Sequence, residues 1–119
     1  MKVKLAMLVG NEALQKLVDA PMPTATSFRV AKAIKEVQKE LEVFEEQRQA
    51  LIKKYGTEDS DKNLEIKPES KNWEKFINDY NELVNEEVDL NITKIDASSL
   101  SKVEMSAKDL LMLEWLIDS

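Results

Sequence analysis

Histidine and cysteine are both absent from the 119-residue sequence. Without imidazole and thiol groups, the chain lacks the ligands of ordinary zinc sites, the atoms for disulfides, and the thiol nucleophiles and histidine bases of many enzymes. Glycine occurs only as Gly10 and Gly56, so no glycine-rich loop is present to bind a phosphate group. We therefore expect no metal, no cofactor and no enzymatic activity.

Long hydrophobic runs are also missing. No stretch approaches the roughly 20 apolar residues of a membrane span, and the N-terminal segment has no signal-peptide cleavage pattern. We therefore predict a cytoplasmic protein without a membrane partner. Two glycines and three prolines, with 43% hydrophobic and 34% charged residues, favour helices over a β-sandwich. The length suits a single domain spanning residues 1–119.

Negative charge exceeds positive charge, and the net charge of −6 is unevenly distributed. Residues 1–35 are mainly basic, whereas residues 69–96 are mainly acidic. Within the acidic region, five carboxylates follow one another with no Lys or Arg between them: Asp79, Glu82, Glu86, Glu87 and Asp89. This run disfavours nucleic acid as a ligand and is complementary to a basic protein. The alternative interpretation is a solvated helix surface that maintains solubility.

The longest periodic segment runs from Thr24 to Tyr55. Its apolar residues recur at spacings of four and three, which predicts one amphipathic helix: Val30, Ile34, Val37, Leu41, Phe44, Leu51 and Tyr55. Thr24 or Thr26 is the predicted N-cap. Gly56 is predicted to end the helix in a left-handed conformation.

Arg48 interrupts the apolar stripe of this helix. Its aliphatic stem can pass along neighbouring side chains with the guanidinium in solvent, or a carboxylate of an opposing helix can bind it. A third interpretation places Arg48 at a seam against a second chain. The sequence leaves these alternatives open.

The basic residues of the same helix are those that a nucleic-acid-binding helix would use: Arg29, Lys32, Lys35 and Lys39. Glu36 and Glu40 interrupt this basic stripe, and the net charge of −6 opposes binding to phosphates. We therefore do not expect nucleic acid as a partner.

A second amphipathic helix is predicted after Ser70, which is a favourable N-cap. Its apolar residues have the same spacing: Trp73, Phe76, Ile77, Tyr80, Leu83 and Val84. Two successive helices with one apolar stripe each are expected to pack as an antiparallel hairpin.

The polar loop between these helices, residues 57–67, resembles part of a calcium-binding loop. Asp59, Asp61 and Asn63 occupy the first, third and fifth positions of such a loop. However, Leu64 and Ser70 stand where that loop requires glycine and glutamate. We therefore expect a solvated connector, with residues 64–66 as a candidate edge strand.

Residues 2–8 and residues 88–95 alternate with the period of half-buried strands. We predict that they pair as a small antiparallel sheet. A short helix capped by Asn11 is predicted between the first strand and Pro21. The predicted fold class is α+β, mainly α, with a long antiparallel helical hairpin, two shorter helices and a small antiparallel sheet.

The last predicted helix begins at the N-cap Ser106, with Asp109 as its capping-box partner, and extends to Ile117. It is apolar on more than one side, and Met112 and Trp115 broaden its apolar surface. Such a helix is either packed between the sheet and the hairpin or partly exposed for a partner.

Short segments along nearly the whole chain carry a resemblance to a known family. They are Lys4-Leu5 leading to Asn11-Glu12-Ala13-Leu14; Pro23 followed by Arg29 and Lys32; Glu45-Glu46-Gln47-Arg48 with Leu51, Lys54, Tyr55 and Gly56; the acidic strand at residues 88–95; and Ser106-Ala107-Lys108-Asp109-Leu110 before Leu113-Glu114. In these segments the chain resembles a family of small, uncharacterised proteins that tailed phages and prophages of Gram-positive bacteria encode.

The resemblance implies a phage protein without enzymatic activity that acts in the host cell cytoplasm. We expect it to bind a protein of the host or of the phage, and to inhibit or modulate a host factor such as a defence nuclease. The candidate contact residues are Asp79, Glu82, Glu86, Glu87, Asp89, Arg48, Met112 and Trp115. The alternative is a structural component of the virion or tail, or its assembly chaperone, in which copies of the chain associate as a homo-oligomer.

Overall fold

Four α-helices and six short strands form the described part of the chain, residues 1–58 and 61–118 of a computed structural model. The helices are α1 (Glu12–Asp19), α2 (Thr24–Tyr55), α3 (Trp73–Val84) and α4 (Ala107–Met112). The strands are β1 (Lys2–Lys4), β2 (Thr57–Glu58), β3 (Leu64–Glu65), β4 (Glu87–Asp89), β5 (Ile95–Asp96) and β6 (Ile117–Asp118). The fold is α+β and mainly α, which confirms the predicted class.

Helices α2 and α3 form the antiparallel hairpin. The side-chain amide of Asn72, just before α3, donates a hydrogen bond to the carbonyl oxygen of Tyr55 at the end of α2, at 3.3 Å. Further along α3, the ring of Tyr80 meets the ring of Phe44, with centroids 6.1 Å apart. Later residues of α3 therefore contact earlier residues of α2, so the two helices run in opposite directions.

The apolar core lies beside the first half of α2, where α1, α4, β1, β4 and β5 cover it. The largest fully buried side chains are Leu8, Leu17, Val37, Leu90, Ile95, Leu113 and Leu116. They come from both ends of the chain, so the fold is closed by contacts between residues that are distant in sequence. Burial of such side chains contributes roughly 1.5–3 kcal/mol each relative to exposure.

The antiparallel sheet of β1 and β4 is shorter than predicted. β1 ends at Lys4, because Leu5–Met7 form a turn of 3₁₀ helix in which the N–H of Leu8 donates to the carbonyl of Leu5 at 2.9 Å. Leu5 and Leu8 are both buried. Residues three apart lie on opposite faces of a strand, so the turn is what buries both leucines in one core.

The second predicted strand divides into two strands that belong to different sheets. β4 pairs with β1, whereas β5 pairs in parallel with β6. The N–H of Ile95 in β5 donates to the carbonyl of Leu116 at 2.8 Å. The last helix accordingly ends at Met112 and not at Ile117, because Leu113 and Leu116, both 0% exposed, lie in the turn that leads to β6.

Two of the predicted helix caps are confirmed. The side-chain oxygen of Asn11 accepts a hydrogen bond from the N–H of Leu14 at 3.0 Å, at the start of α1. At the start of α4, Ser106 and Asp109 form a reciprocal capping box with both bonds at 3.1 Å.

The predicted caps of the two long helices are wrong. Pro23 precedes α2, and no side chain caps its first turn. Thr24 and Thr26 are the first and third residues of the helix itself, and Thr26 is only 5% exposed. Ser70 lies in the turn before α3, where its hydroxyl accepts from the N–H of Asn72 at 3.2 Å, and Asn72 is the residue that precedes the helix.

Gly56 ends α2 as predicted, but not in a left-handed conformation. Its φ is −82°, and its N–H donates to the carbonyl of Ile52. A Cβ atom at this position would clash with the carbonyl oxygen of Ile52 and lie 2.8 Å from the carbonyl oxygen of Glu65 in β3. Glycine is required here because β3 passes so close to the helix end.

The pairing of β3 with β2 confirms the candidate edge strand, although Ile66 lies outside it.

The partial calcium-binding pattern includes Asp59, which lies outside the described residues. Within the described ranges, no group of acidic side chains is arranged to hold a metal ion. Of the helices in those ranges, none combines the length and the apolar character that crossing a bilayer requires.

Candidate protein-binding surfaces

The outward side of α3 is polar because its apolar residues all face α2. Phe76, Tyr80 and Leu83 contact the core or the rings of the hairpin, whereas Asn78, Asn81 and Glu82 are exposed. A shallow groove of about 410 Å³ on that side is lined by Asn78, Asn81, Glu82, Asn85 and Glu86. We call these five residues the α3 polar face. Asn78, Asn81 and Glu82 lie on one side of α3, and Asn85 and Glu86 directly follow its last residue, Val84.

Glu82 and Glu86 give the α3 polar face its negative charge. Both are exposed, and neither forms an ion pair with another residue in the described part of the chain. The side chain of Asn85 donates to the carbonyl of Asn81 at 2.9 Å, which fixes one amide beside them. This half of the predicted acidic run is therefore accessible to a partner.

Asp79 has a structural contact within the chain. It is half-buried, and its carboxylate accepts a hydrogen bond from the hydroxyl of Tyr55 at 2.6 Å. This bond joins α3 to the end of α2. Asp79 can contact a partner protein only if the partner shares this hydrogen bond or breaks it.

Glu87 and Asp89 lie on β4, opposite lysines of β1. The register pairs Glu87 with Lys4 and Asp89 with Lys2, so opposite charges face each other across the sheet. Asp89 also accepts a bond from the amino group of Met1 at 3.0 Å. That bond lowers the pKa of Asp89 below its ordinary value. The strand half of the acidic run is thus partly neutralised, and the structure separates it from the helix half.

Arg48 binds a carboxylate of its own helix and not one of the opposing helix. Its guanidinium donates two hydrogen bonds to Glu45, at 2.8 and 2.6 Å. These bonds lower the pKa of Glu45 to about 2, and the amide of Gln49 adds a further bond at 3.1 Å. The pKa of Arg48 rises for the same reason. Arg48 therefore lies at the margin of the hairpin, and a role against a second chain stays a prediction.

Met112 and Trp115, both predicted as partner contacts, are half-buried against the core. The indole N–H of Trp115 donates to the carbonyl of Met112 at 3.0 Å, and the side chain of Asn11 donates to the same oxygen at 2.9 Å. The exposed apolar residues of this helix are Leu110 and Leu111, at 46% and 64%.

The position of Asp109 explains why sequence reasoning missed these two leucines. Asp109 is only 6% exposed, and Lys16 of α1 binds its carboxylate at 3.2 Å. Hydrogen bonding to the N–H of Ser106, together with Lys16, lowers the pKa of Asp109. With Asp109 inside, α4 turns Leu110 and Leu111 outward. The sequence identified Asp109 as the capping-box partner of Ser106, but it does not show that this carboxylate is buried.

An apolar groove between α1 and α2 is a further surface that the sequence did not predict. It has a volume of about 590 Å³, and its apolar lining comes from Leu8, Leu14, Val18, Ile34, Val37 and Leu41. Val18 is 44% exposed at its edge. The groove exists because α1 is too short to cover the whole apolar stripe of α2.

A scan against protein-family models returned no match, and searches of curated proteins and of solved structures returned none either.

Proposed function

We propose that this chain is a phage-encoded accessory protein that acts by binding another protein, with the α3 polar face as its contact surface. The observation that carries the proposal is the pair Glu82 and Glu86, which are exposed and have no ionic partner in the described part of the chain. The resemblance in sequence supports the phage origin and a site of action in the host cytoplasm.

The chemistry of this face favours a basic partner. Two exposed carboxylates, Glu82 on α3 and Glu86 just beyond its end, match the guanidinium and ammonium groups of Arg and Lys. The amides of Asn78 and Asn81 can both donate and accept hydrogen bonds. Such a face also accelerates encounter with a positively charged protein. A host protein that uses a basic surface to hold nucleic acid, such as a defence nuclease, would be inhibited when that surface is covered.

The hairpin holds this face in place before any partner arrives. The rings of Phe76 and Tyr80 stack with centroids 6.1 Å apart, and Tyr80 meets Phe44 edge to face. The Tyr55–Asp79 hydrogen bond adds a polar tie. A surface that is already ordered loses less conformational entropy on binding than a flexible segment does.

Capture of host proteins from a Gram-positive cell lysate tests this proposal. The tagged protein is compared with the charge-reversed variant E82K/E86K and with a matched control, E42K/E46K. The control makes the same change in charge on exposed glutamates of α2. Captured proteins are identified and quantified by mass spectrometry, and circular dichroism confirms that each variant is folded.

We expect a basic host protein to be captured by the natural chain and by E42K/E46K, and to be lost with E82K/E86K. Equal capture by all three proteins would exclude the α3 polar face as the contact. Equal loss with both variants would show that net charge alone, and not this face, determines binding.

The alternative function is a structural component of the virion or tail, or its assembly chaperone. The specific observation in its favour is the adjacent exposed pair Leu110 and Leu111. Exposed leucines at a helix surface are typical of contacts between subunits. Light scattering at high protein concentration tests it, because the natural chain should form oligomers that the variant L110Q/L111Q does not. A strictly monomeric natural chain would contradict this function.

A further inference from the structure

A second groove lies between the first half of α2 and the segment that joins β4 to β5. Its volume is about 630 Å³. The helix contributes Arg29, Lys32 and Ala33, and the connecting segment contributes residues 91–94 together with Asp96. We call it the basic groove, for its cations Arg29, Lys32 and Lys94.

The basic groove has an excess of positive charge that the chain itself does not neutralise. Arg29, Lys32 and Lys94 are exposed, and none of them forms an ion pair with another described residue. Lys32 lies over the ring of Phe28, with its nitrogen 5.5 Å from the ring centroid. Uncompensated cations at one place in a chain of net charge −6 are complementary to an anionic ligand.

The two acids that line this groove are already engaged. Glu36 binds Lys39 at 3.1 Å. The carboxylate of Asp96 accepts from the N–H of Ser98 at 3.3 Å and from its hydroxyl at 2.9 Å. Glu36 is therefore neutralised by Lys39, whereas Asp96 keeps its charge and offsets one of the three cations, which leaves the groove positive.

The backbone along one wall of the groove has free hydrogen-bonding groups. Residues 91–94 belong to no helix or strand, and their backbone forms no hydrogen bond with any other described residue. The chain is paired on both sides of them, since the N–H of Leu90 donates to Met1 at 2.7 Å and that of Ile95 donates to Leu116 at 2.8 Å. A segment of unpaired backbone beside a groove is where an added strand can form hydrogen bonds.

The floor of the groove is apolar. Ala33 is 2% exposed, and Ile92 is half-buried against the core. In an extended peptide, successive side chains point to opposite sides. Alternate side chains would therefore reach this floor, and the others would reach the cations at the rim.

We propose that the basic groove binds an extended, acidic polypeptide segment of a partner protein. The backbone of the segment pairs with residues 91–94, and its carboxylates contact Arg29, Lys32 and Lys94. This site lies apart from the α3 polar face and takes a ligand of the opposite charge, so it does not depend on the function proposed for that face. The free backbone groups favour a peptide over a nucleic acid, because a peptide backbone can pair with them as an added strand.

Fluorescence anisotropy with a labelled peptide of alternating Glu and Val residues tests the proposal at low salt. The full chain is compared with R29E/K94E and with the matched control K71E/K75E, which reverses two exposed lysines outside the groove. We expect saturable binding to the natural chain and to the control, and a loss of at least about tenfold in affinity with R29E/K94E. A peptide of the same charge with N-methylated backbone should bind about tenfold more weakly as well.

Three results would overturn the proposal. They are the absence of saturable peptide binding at low salt, an equal loss of affinity in K71E/K75E, and tighter binding of a labelled single-stranded DNA than of the peptide. Equal affinity for the N-methylated peptide would contradict the pairing of backbones. None of these variants changes the α3 polar face, so the peptide-binding result does not bear on the capture experiment with that face.

Discussion

The two ends of the molecule differ in how closely their side chains pack. The body, residues 1–43 and 85–118, has side chains that are almost completely excluded from solvent, such as Leu17, Leu113 and Leu116 at 0% exposed. The arm comprises residues 44–58 and 61–84. Among these described residues only Phe44 and Phe76 are buried, at 5% and 8% exposed.

This difference follows from how many elements cover α2 along its length. In the body, α1, β5 and the 3₁₀ turn after β1 contact the helix. In the arm, α3 and the short β2–β3 pair are the described elements that contact it. A helix with one helical neighbour buries one stripe and exposes the rest. Stability is therefore concentrated in the body.

A large-to-small substitution in each region should show the greatest difference. Leu17→Ala removes a side chain with 0% exposure and should lower the free energy of unfolding by about 2–5 kcal/mol. Leu51→Ala, at a half-buried position of the arm, should cost less than half as much. Urea denaturation measures both values. Equal losses would mean that the arm is packed as closely as the body.

The arm and the body each contain one glycine, for different reasons. Gly56 in the arm leaves no room for a Cβ atom, whereas Gly10 in the body has a positive φ. Gly56→Ala should cost about 1–3 kcal/mol, because its Cβ would collide with the end of α2 and with β3. Gly10 has a φ of +64° with open space around it, so Gly10→Ala should cost about 1–2 kcal/mol through backbone strain alone.

Substitution by asparagine separates these two causes. Asn tolerates the left-handed region, so Gly10→Asn should recover most of the stability that Gly10→Ala loses. Gly56→Asn should recover none, since its Cβ meets the same atoms. Thermal denaturation of the four variants provides the comparison, and recovery at position 56 would contradict the steric explanation.

The polar tie of the arm should contribute a smaller amount. Tyr55→Phe removes the hydroxyl that donates to Asp79 and should cost about 0.5–1.5 kcal/mol. The loss should appear as faster amide exchange in the arm, without a change in the body. Equal acceleration in both regions would show that this bond stabilises the whole fold. Phe44→Leu serves as the control, since it changes the packing of the hairpin and leaves the hydroxyl in place.

Lowering the pH should reduce stability through Asp109 in the body and through Glu45 in the arm. The effect in the arm should be the smaller of the two. The pKa values of Glu45 and Asp109 are both lowered in the folded chain. Each therefore contributes stability above its unfolded pKa, and the contribution is lost as pH falls through its folded pKa. For Glu45 this range extends from about 4.5 down to about 2.

NMR titration of the glutamate carboxyl carbons measures this shift. In Arg48→Met, the pKa of Glu45 should return toward 4.5, while global stability should change little because the pair is exposed. An unchanged pKa in Arg48→Met would show that Arg48 is not its cause. Lys39→Met is the matched control, because it removes the ion pair of Glu36 elsewhere on the same helix.

Sequence periodicity predicted α2 and α3 well because their apolar stripes are long, whereas the end of α4 was wrong. The bounds of α2, the hairpin with α3, and the caps Asn11 and Ser106 all follow from local patterns. The errors lie where tertiary contacts override a local pattern. The turn after β1 forms because Leu5 and Leu8 must both enter the core, and β5 leaves the line of β4 to pair with β6.

The candidate surfaces were only partly predictable for the same reason. The exposure of Glu82 follows from helix periodicity once α3 is placed against α2, whereas Glu86 lies beyond the end of that helix. The engagement of Asp79 by Tyr55 and of Asp89 by Met1 depends on contacts across the chain. The basic groove joins α2 to residues 91–94, and only the folded chain brings these segments together.

A closely packed body supports a less stable arm, and this division places Asn78, Asn81 and Glu82 of the α3 polar face on the arm. Native-state hydrogen exchange tests it most directly. Amides of α1 and of Ile95 and Leu113 should exchange only through global unfolding. Amides of residues 51–55 and 76–80 should exchange through local opening, with a free energy at least about 1 kcal/mol lower. Equal protection of both sets of amides would contradict the division of the molecule into a body and an arm.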